Sequence, residues 1–190
     1  MGGELGTAPA LAIRGRPDMS LVFLIGMPGV GKTHWGRIWS LAHDFRFYDL
    51  DVLIERAAGR TIPSLIKDDG EAAFRALESE VLIDTVDRNS NKNAIISCGG
   101  GTPTIERNLR LMLDAGCIVY LQASTERILK QLQSSHVRRP LLKQMSVEGL
   151  NTLLEKRKYF YEQAHFSLPL ENAEVGTFAE IIELCLNRHS

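Results

Sequence analysis

Eight consecutive residues, Gly26-Met27-Pro28-Gly29-Val30-Gly31-Lys32-Thr33, fit the spacing G-x-x-x-x-G-K-S/T. Glycines at such a turn let successive backbone N–H groups point inward around a phosphate, at the positive end of a helix dipole. Lys32 then reaches the β- and γ-phosphates of a nucleotide, and the Thr33 hydroxyl holds Mg²⁺. The spacing gains meaning from its flanks, because apolar Leu21 to Ile25 precedes it and helical periodicity follows from Lys32. The competing reading, a glycine-rich turn with no ligand, requires both flanks to be right by accident. A guanine-specific switch is disfavoured: Asn91-Lys92 is followed by Asn93 and Ala94, so Asn-Lys-x-Asp is absent. The strand Ala94 to Ser97 also lacks the terminal Asp that many motor-type ATPases use for metal, so the acid must come from elsewhere.

Asp49 and Asp51 are the candidates for it. They follow a short strand, and in extended chain residues two apart point to the same side, toward the crevice beyond the strand's carboxyl end. One carboxylate could order Mg²⁺ and its water while the other accepts a hydrogen bond from a substrate hydroxyl. The alternative is structural, with Asp51 capping a helix from Val52 to Ala58. Read alone, Arg75 is a solvated helix ion pair with Glu71 and Glu78, and Arg157 belongs to a basic face with Lys156 and Lys158. Gly99, Gly100 and Gly101 follow a strand, where missing side chains admit a ligand close to backbone N–H groups or simply make a flexible turn.

These residues need a scaffold, and the chain alternates β-rich and helical stretches in the manner of βαβ units around a parallel sheet. Strands are expected at Leu21 to Ile25, Arg46 to Tyr48, Ala94 to Ser97, Cys117 to Leu121 and Phe166 to Leu168. The first and fourth are almost wholly apolar, as befits central strands covered on both faces. Helices are expected at Lys32 to Ala42, Val52 to Ala58, Gly70 to Asp87, Ile105 to Ala115, Thr125 to Gln133, Val147 to Gln163 and Thr177 to Arg188. Gly116 fits a helix C-cap, and Ser124 or Thr125 an N-cap. Residues 133–146, polar and containing Pro140, read as a long loop of the kind that forms lids.

The 190 residues suit one domain, with 44% hydrophobic and 24% charged residues. Lys and Arg number 22 against 23 Asp and Glu, a net charge of −1, so bulk charge draws the chain to neither nucleic acid nor membrane. Three cysteines, Cys98, Cys117 and Cys185, are an odd number at spacings that fit neither a disulfide framework nor a zinc site, and point to a reducing, cytoplasmic location. Cys98 and Cys117 read as core. Residues 1–18 read as a leader or extension outside the fold, with the domain at 19–190 and Met19 as a sensible start. The five histidines show no metal-ligand spacing.

In order, the phosphate loop, Asp49-x-Asp51, Gly70-Glu71-x-x-Phe74-Arg75-x-x-Glu78, Gly99-Gly100-Gly101, Arg139-Pro140-Leu141-Leu142, and Arg157 with Tyr161 and Ala164 resemble shikimate kinase. The resemblance covers the chain from about Ser20. It implies a five-stranded parallel sheet in the order 2-3-1-4-5 within a three-layer α/β/α P-loop kinase fold, akin to nucleoside monophosphate kinases and carrying a lid. The implied reaction takes ATP and shikimate to ADP and shikimate 3-phosphate, with Mg²⁺ and as a monomer. Arg75 and Arg157 fall on the two arginines that bind the shikimate carboxylate. Asp51 falls on the aspartate that binds the substrate hydroxyls, and Asp49 on the one near Mg²⁺. Gly99, Gly100 and Gly101 line the substrate, and Arg139 falls on the lid arginine that closes over the transferring phosphate. Lys130-Gln131 stands where many members place an arginine on the adenine ring. A kinase of another small hydroxy acid, such as gluconate, and a catalytically silent nucleotide-binding module are the competing expectations.

Overall fold

The computed structural model describes residues 21–134, 145–174 and 176–187. The leader, Met19, the lid residue Arg139 and most of the expected loop 133–146 lie outside the described residues. Five parallel strands form one sheet: β1 (Leu21–Ile25), β2 (Arg46–Asp49), β3 (Ala94–Ser97), β4 (Gly116–Gln122) and β5 (Phe166–Pro169). Their spatial order is β2-β3-β1-β4-β5, as expected. Among the described residues the helices that connect and cover them are α1 (Lys32–His43), α2 (Leu50–Ala58), α3 (Ile62–Asn89), α4 (Glu106–Ala115), α5 (Thr125–Ser134), α6 (Val147–Tyr161) and α7 (Thr177–Asn187). A 3₁₀ turn, Thr102–Thr104, precedes α4.

All five residues of β1 are buried. A strand hidden on both faces must read as a continuous apolar run, which LVFLI does. Removing each such side chain from water contributes about 1.5–3 kcal/mol. Register then aligns the working ends. Leu24 stands opposite both Ser97 and Val119, and Asp49 stands opposite Ser97, so the segments leaving β1, β2 and β3 emerge along one sheet edge. The chain lays β2 and β3 on one side of β1 and then crosses to lay β4 and β5 on the other, which makes this edge the switch point where open α/β sheets hold ligands.

Two glycines set how closely the parts approach. A β-carbon at Gly36 of α1 would stand 2.5 Å from the Phe47 ring and 3.1 Å from Leu24, so the helix behind the phosphate loop seats directly on β1 and β2. At Gly116 it would stand 2.2 Å from the Leu21 carbonyl oxygen. Gly116 closes α4 as expected, but in extended backbone (φ −178°) and as the first residue of β4. The Ser124 hydroxyl accepts from the Arg127 N–H at 3.3 Å and caps α5.

The helix expected from Gly70 is there: Gly70 itself is non-helical (φ +88°, ψ 165°) and separates it from a preceding, unexpected helix that begins at Ile62, the two together making α3. Thr61 caps the first of them by accepting from the Ser64 N–H, and Pro63 occupies its first turn. A further correction concerns the thiols: Cys117 in β4 and Cys185 in α7 form a disulfide, their Cα atoms 5.7 Å apart. The odd count arises because Cys98 is the free and buried one. Cys98 and Cys117 are core residues, as expected.

Candidate active site

The loop from Gly26 to Gly31 uses its glycines where φ is positive: +138° at Gly26, +84° at Gly29 and +108° at Gly31. These angles are costly for residues with a β-carbon. Gly31 is the N-cap of α1, with no side chain capping the first amides and no acid in the first turn. Those amides and the dipole behind them are left for an anion. Lys32, buried at 8% exposure, folds back over its own loop and donates to the carbonyls of Gly26 (2.9 Å) and Met27 (3.0 Å). Met27, Pro28 and Val30 are buried beneath the loop.

Thr33 donates to Asp49 Oδ2 at 2.6 Å, so a hydroxyl and a carboxylate, both hard oxygen donors, meet at the mouth of the loop. The other oxygen of Asp49 caps α2 by accepting from the N–H groups of Asp51 (3.1 Å) and Val52 (3.4 Å). Sequence reasoning had Asp51 as the candidate cap and extended chain through both acids. Extension ends at Asp49, because its short side chain reaches the next two amides and starts the helix at Leu50. Asp51 sits in the first turn, with Oδ1 3.2 Å from where a Gly99 β-carbon would stand.

The glycine triplet is packed from three directions. A β-carbon at Gly99 would lie 2.9 Å from Glu78 Oε1 and 3.0 Å from Thr102 Oγ1. At Gly100 it would meet Pro28 at 2.8 Å and Arg157 Nη1 at 2.9 Å, and at Gly101 the Arg75 guanidinium at 2.7–2.9 Å. Only glycine lets these groups close on the backbone. Arg75 is held by Glu78 (2.7 Å) and Glu71 (3.1 Å). Arg157 Nη1 is buried without a hydrogen-bond partner, an unusual state for a guanidinium donor.

Sequence reasoning missed part of this machinery. Glu78, 0% exposed, is more than a surface ion pair: its Oε1 accepts from the Thr102 hydroxyl at 2.7 Å while Oε2 takes Arg75. Asn108 Nδ2 in turn donates to the Thr102 carbonyl at 3.3 Å. The early signals were Glu78 lying three residues after Arg75 on one helix face and the place of Glu78 and Tyr161 in the ordered motifs, to which no role had been attached. Tyr161 donates to the Gly100 carbonyl at 2.7 Å, and burial pushes its phenol up to about 12, against the opposing pull of Arg157. Burial also drives the Cys98 thiol far upward, though Lys32 pulls the other way, so Cys98 is an inert thiol here. Lys130 is exposed on α5.

Lys32, Thr33, Asp49, Asp51, Arg75, Gly99, Gly100, Gly101 and Arg157 thus share one edge of the sheet, with Arg139 outside the described residues. A phosphate loop at the switch point of a 2-3-1-4-5 sheet, facing arginines across a glycine turn, defines a P-loop small-molecule kinase. The family model for shikimate kinase matches residues 28–186. The shikimate kinase of Synechococcus sp. (strain CC9902) is 34% identical over 175 residues, 92% of this chain and 90% of that protein. The solved structure of shikimate kinase from Acinetobacter baumannii in complex with shikimate superposes with a TM-score of 0.78 at 31% identity, over 90% of this chain and 95% of that one. A gluconokinase from Sinorhizobium meliloti shares the fold alone, with a TM-score of 0.55 at 15% identity over 92% of this chain and 98% of that one. The chain belongs to the shikimate kinase family.

Proposed function

We infer that this chain transfers the γ-phosphoryl group of ATP to a hydroxyl of shikimate, giving ADP and shikimate 3-phosphate. One observation carries the choice of acceptor: Arg157 Nη1 is buried, lacks a partner and faces Gly100, while Arg75 closes on Gly101 from α3. Two guanidinium groups across a glycine turn suit a carboxylate, which accepts from planar donors in pairs. The phosphate loop, packed against the same turn through Pro28, brings the donor phosphate to that acceptor.

In this reading the amides of residues 26–33 cradle the phosphates. Lys32 exchanges its loop carbonyls for phosphate oxygens, where its charge offsets the charge moving onto the leaving group. Asp51 accepts a hydrogen bond from the attacking hydroxyl and orients it. The transition state of phosphoryl transfer is loose and the proton leaves late, so orientation matters more than basicity. Arg139, outside the described residues, supplies a guanidinium that stabilises the charge of the transferring phosphate. The adjoining oxygens of Thr33 and Asp49 fit Mg²⁺, which takes hard oxygen donors, keeps several waters and needs few protein groups. When bound, it would neutralise charge between the β- and γ-phosphates. The domain spans 19–190 and acts as a monomer, without nucleic acid or membrane. Among the described residues no helix is long and apolar enough to cross a bilayer.

The test is a coupled ADP-release assay on the purified chain with shikimate and, separately, gluconate. Turnover is expected with shikimate; turnover with gluconate alone overturns the acceptor. If calorimetry shows nucleotide binding but no shikimate 3-phosphate forms with Mg²⁺ present, the chain is a silent binding module.

A further inference from the structure

The phenol of Tyr161 takes no part in the chemistry above, yet it stands where the working parts meet. Its ring is fully buried at 0% exposure and tilted against Tyr120, with centroids 4.9 Å apart. The hydroxyl donates to the Gly100 carbonyl at 2.7 Å and lies 3.9 Å from the Met27 sulfur in the phosphate loop. One turn earlier on α6, Arg157 presents its buried Nη1 to the same glycine.

A Gly-Gly peptide is the least constrained unit in a chain. Here it is the central peptide of a turn closed by the Thr102 N–H on the Gly99 carbonyl at 3.1 Å, and the phenol's hydrogen bond sets which way that peptide faces. No described peptide is cis, so the Gly101 N–H points opposite to the Gly100 carbonyl and away from the phenol. Resting on the kinase reading, we propose that Tyr161 is a positioning residue for the acceptor. It locks the Gly100–Gly101 peptide so that the Gly101 N–H is turned toward the bound hydroxy acid, and it sets this peptide against the phosphate loop. Donor and acceptor are thereby registered by one side chain that touches neither. Tyr161→Phe keeps the ring and removes only the hydroxyl, so the peptide can flip within its turn while the packing stays.

Steady-state kinetics of the full chain decide it. Tyr161→Phe should raise the KM for shikimate about tenfold, the scale of one lost buried hydrogen bond, while the KM for ATP stays within about twofold. Tyr120→Phe alters the neighbouring ring of the same cluster and should leave the KM for shikimate near the wild-type value. A shikimate KM within twofold of wild type in Tyr161→Phe overturns the assignment, as does a parallel rise in both KM values or an equal rise in Tyr120→Phe. Should Tyr161→Phe fail to fold, the wild-type chain labelled with ¹⁵N-glycine still decides. Exchange of the Gly101 amide with solvent should slow at least about fivefold on saturation with shikimate, and unchanged exchange overturns the proposal. A wild-type chain that leaves shikimate unphosphorylated overturns the kinase reading and this one together. An active wild type beside a Tyr161→Phe of unchanged KM overturns this one alone.

Discussion

Arg75 owes its direction to Glu78, and the pair is lopsided: the arginine side chain is 28% exposed and the glutamate 1%. A buried carboxylate stripped of its cation is costly, and a cation stripped of its carboxylate loses its aim. Glu78→Gln keeps the volume and the Thr102 contact but weakens the charge-assisted bond. It should lower stability by about 1–3 kcal/mol in chemical melts and raise the KM for shikimate, leaving that for ATP unchanged. A KM for shikimate equal to wild type would mean that Glu78 only stabilises the fold. Arg75→Ala removes the donor itself, so calorimetry should show shikimate affinity down by about 2–3 kcal/mol, the worth of a hydrogen bond to a charged group, with nucleotide affinity little changed. Tyr161 gives a pH signature. Its folded pKa is raised from 10 to about 12, so the unfolded chain loses this proton first as pH rises. Its contribution is therefore whole below about pH 10 and declines between about pH 10 and 12, by about 3 kcal/mol at most. Tyr161→Phe should flatten that decline in melts across the window; an identical decline in the variant would assign it to other groups.

At the scale of elements, two glycines with similar clashes should behave oppositely. An alanine at Gly101 meets the far end of Arg75, which can swing aside, and its φ of −99° suits any residue. An alanine at Gly116 meets the Leu21 backbone at 2.2 Å, in the register Leu21↔Gly116 that joins the two central strands. Gly101→Ala should thus melt close to wild type yet raise the KM for shikimate, whereas Gly116→Ala should lose about 1–3 kcal/mol through overpacking. Equal melting temperatures for the two would refute the distinction. The same contrast explains what the sequence could disclose. Apolar runs and the phosphate-loop spacing announce β1, β4 and α1 because burial and a positive φ constrain residue type locally. The stretch of α3 before Gly70 stayed hidden because it is short and Pro63 reads as a breaker, while here Pro63 sits in the first turn; Gly70 interrupts the helix, as its type suggests. Asp49 rather than Asp51 as the cap, Glu78 beneath Arg75 and Tyr161 beneath Gly100 depend on contacts between segments far apart in the chain. No local pattern carries them.

At the scale of the molecule, the C-terminal helix braces the phosphate loop. Phe178 of α7 stacks on Trp39 of α1 at 3.9 Å, and Trp39 stacks on Trp35 at 5.1 Å. The Trp35 ring in turn lies 3.5 Å from where a Gly31 β-carbon would stand. The bridge from Cys185 to Cys117, 68 residues apart in sequence, ties this helix to β4. Closing a loop of that length removes conformational freedom from the unfolded chain worth about 4 kcal/mol. For a chain of this size each kcal/mol corresponds to about 2–4 °C. Reduction, or Cys185→Ser, should therefore lower the melting temperature by roughly 8–16 °C. Thiol titration of the denatured chain supplies the check: one reactive thiol, Cys98, before reductant and three after. Three thiols without reductant would show the bridge absent, and an unchanged melting temperature with the bridge demonstrably broken would mean that stacking on Trp39 alone suffices to hold α7.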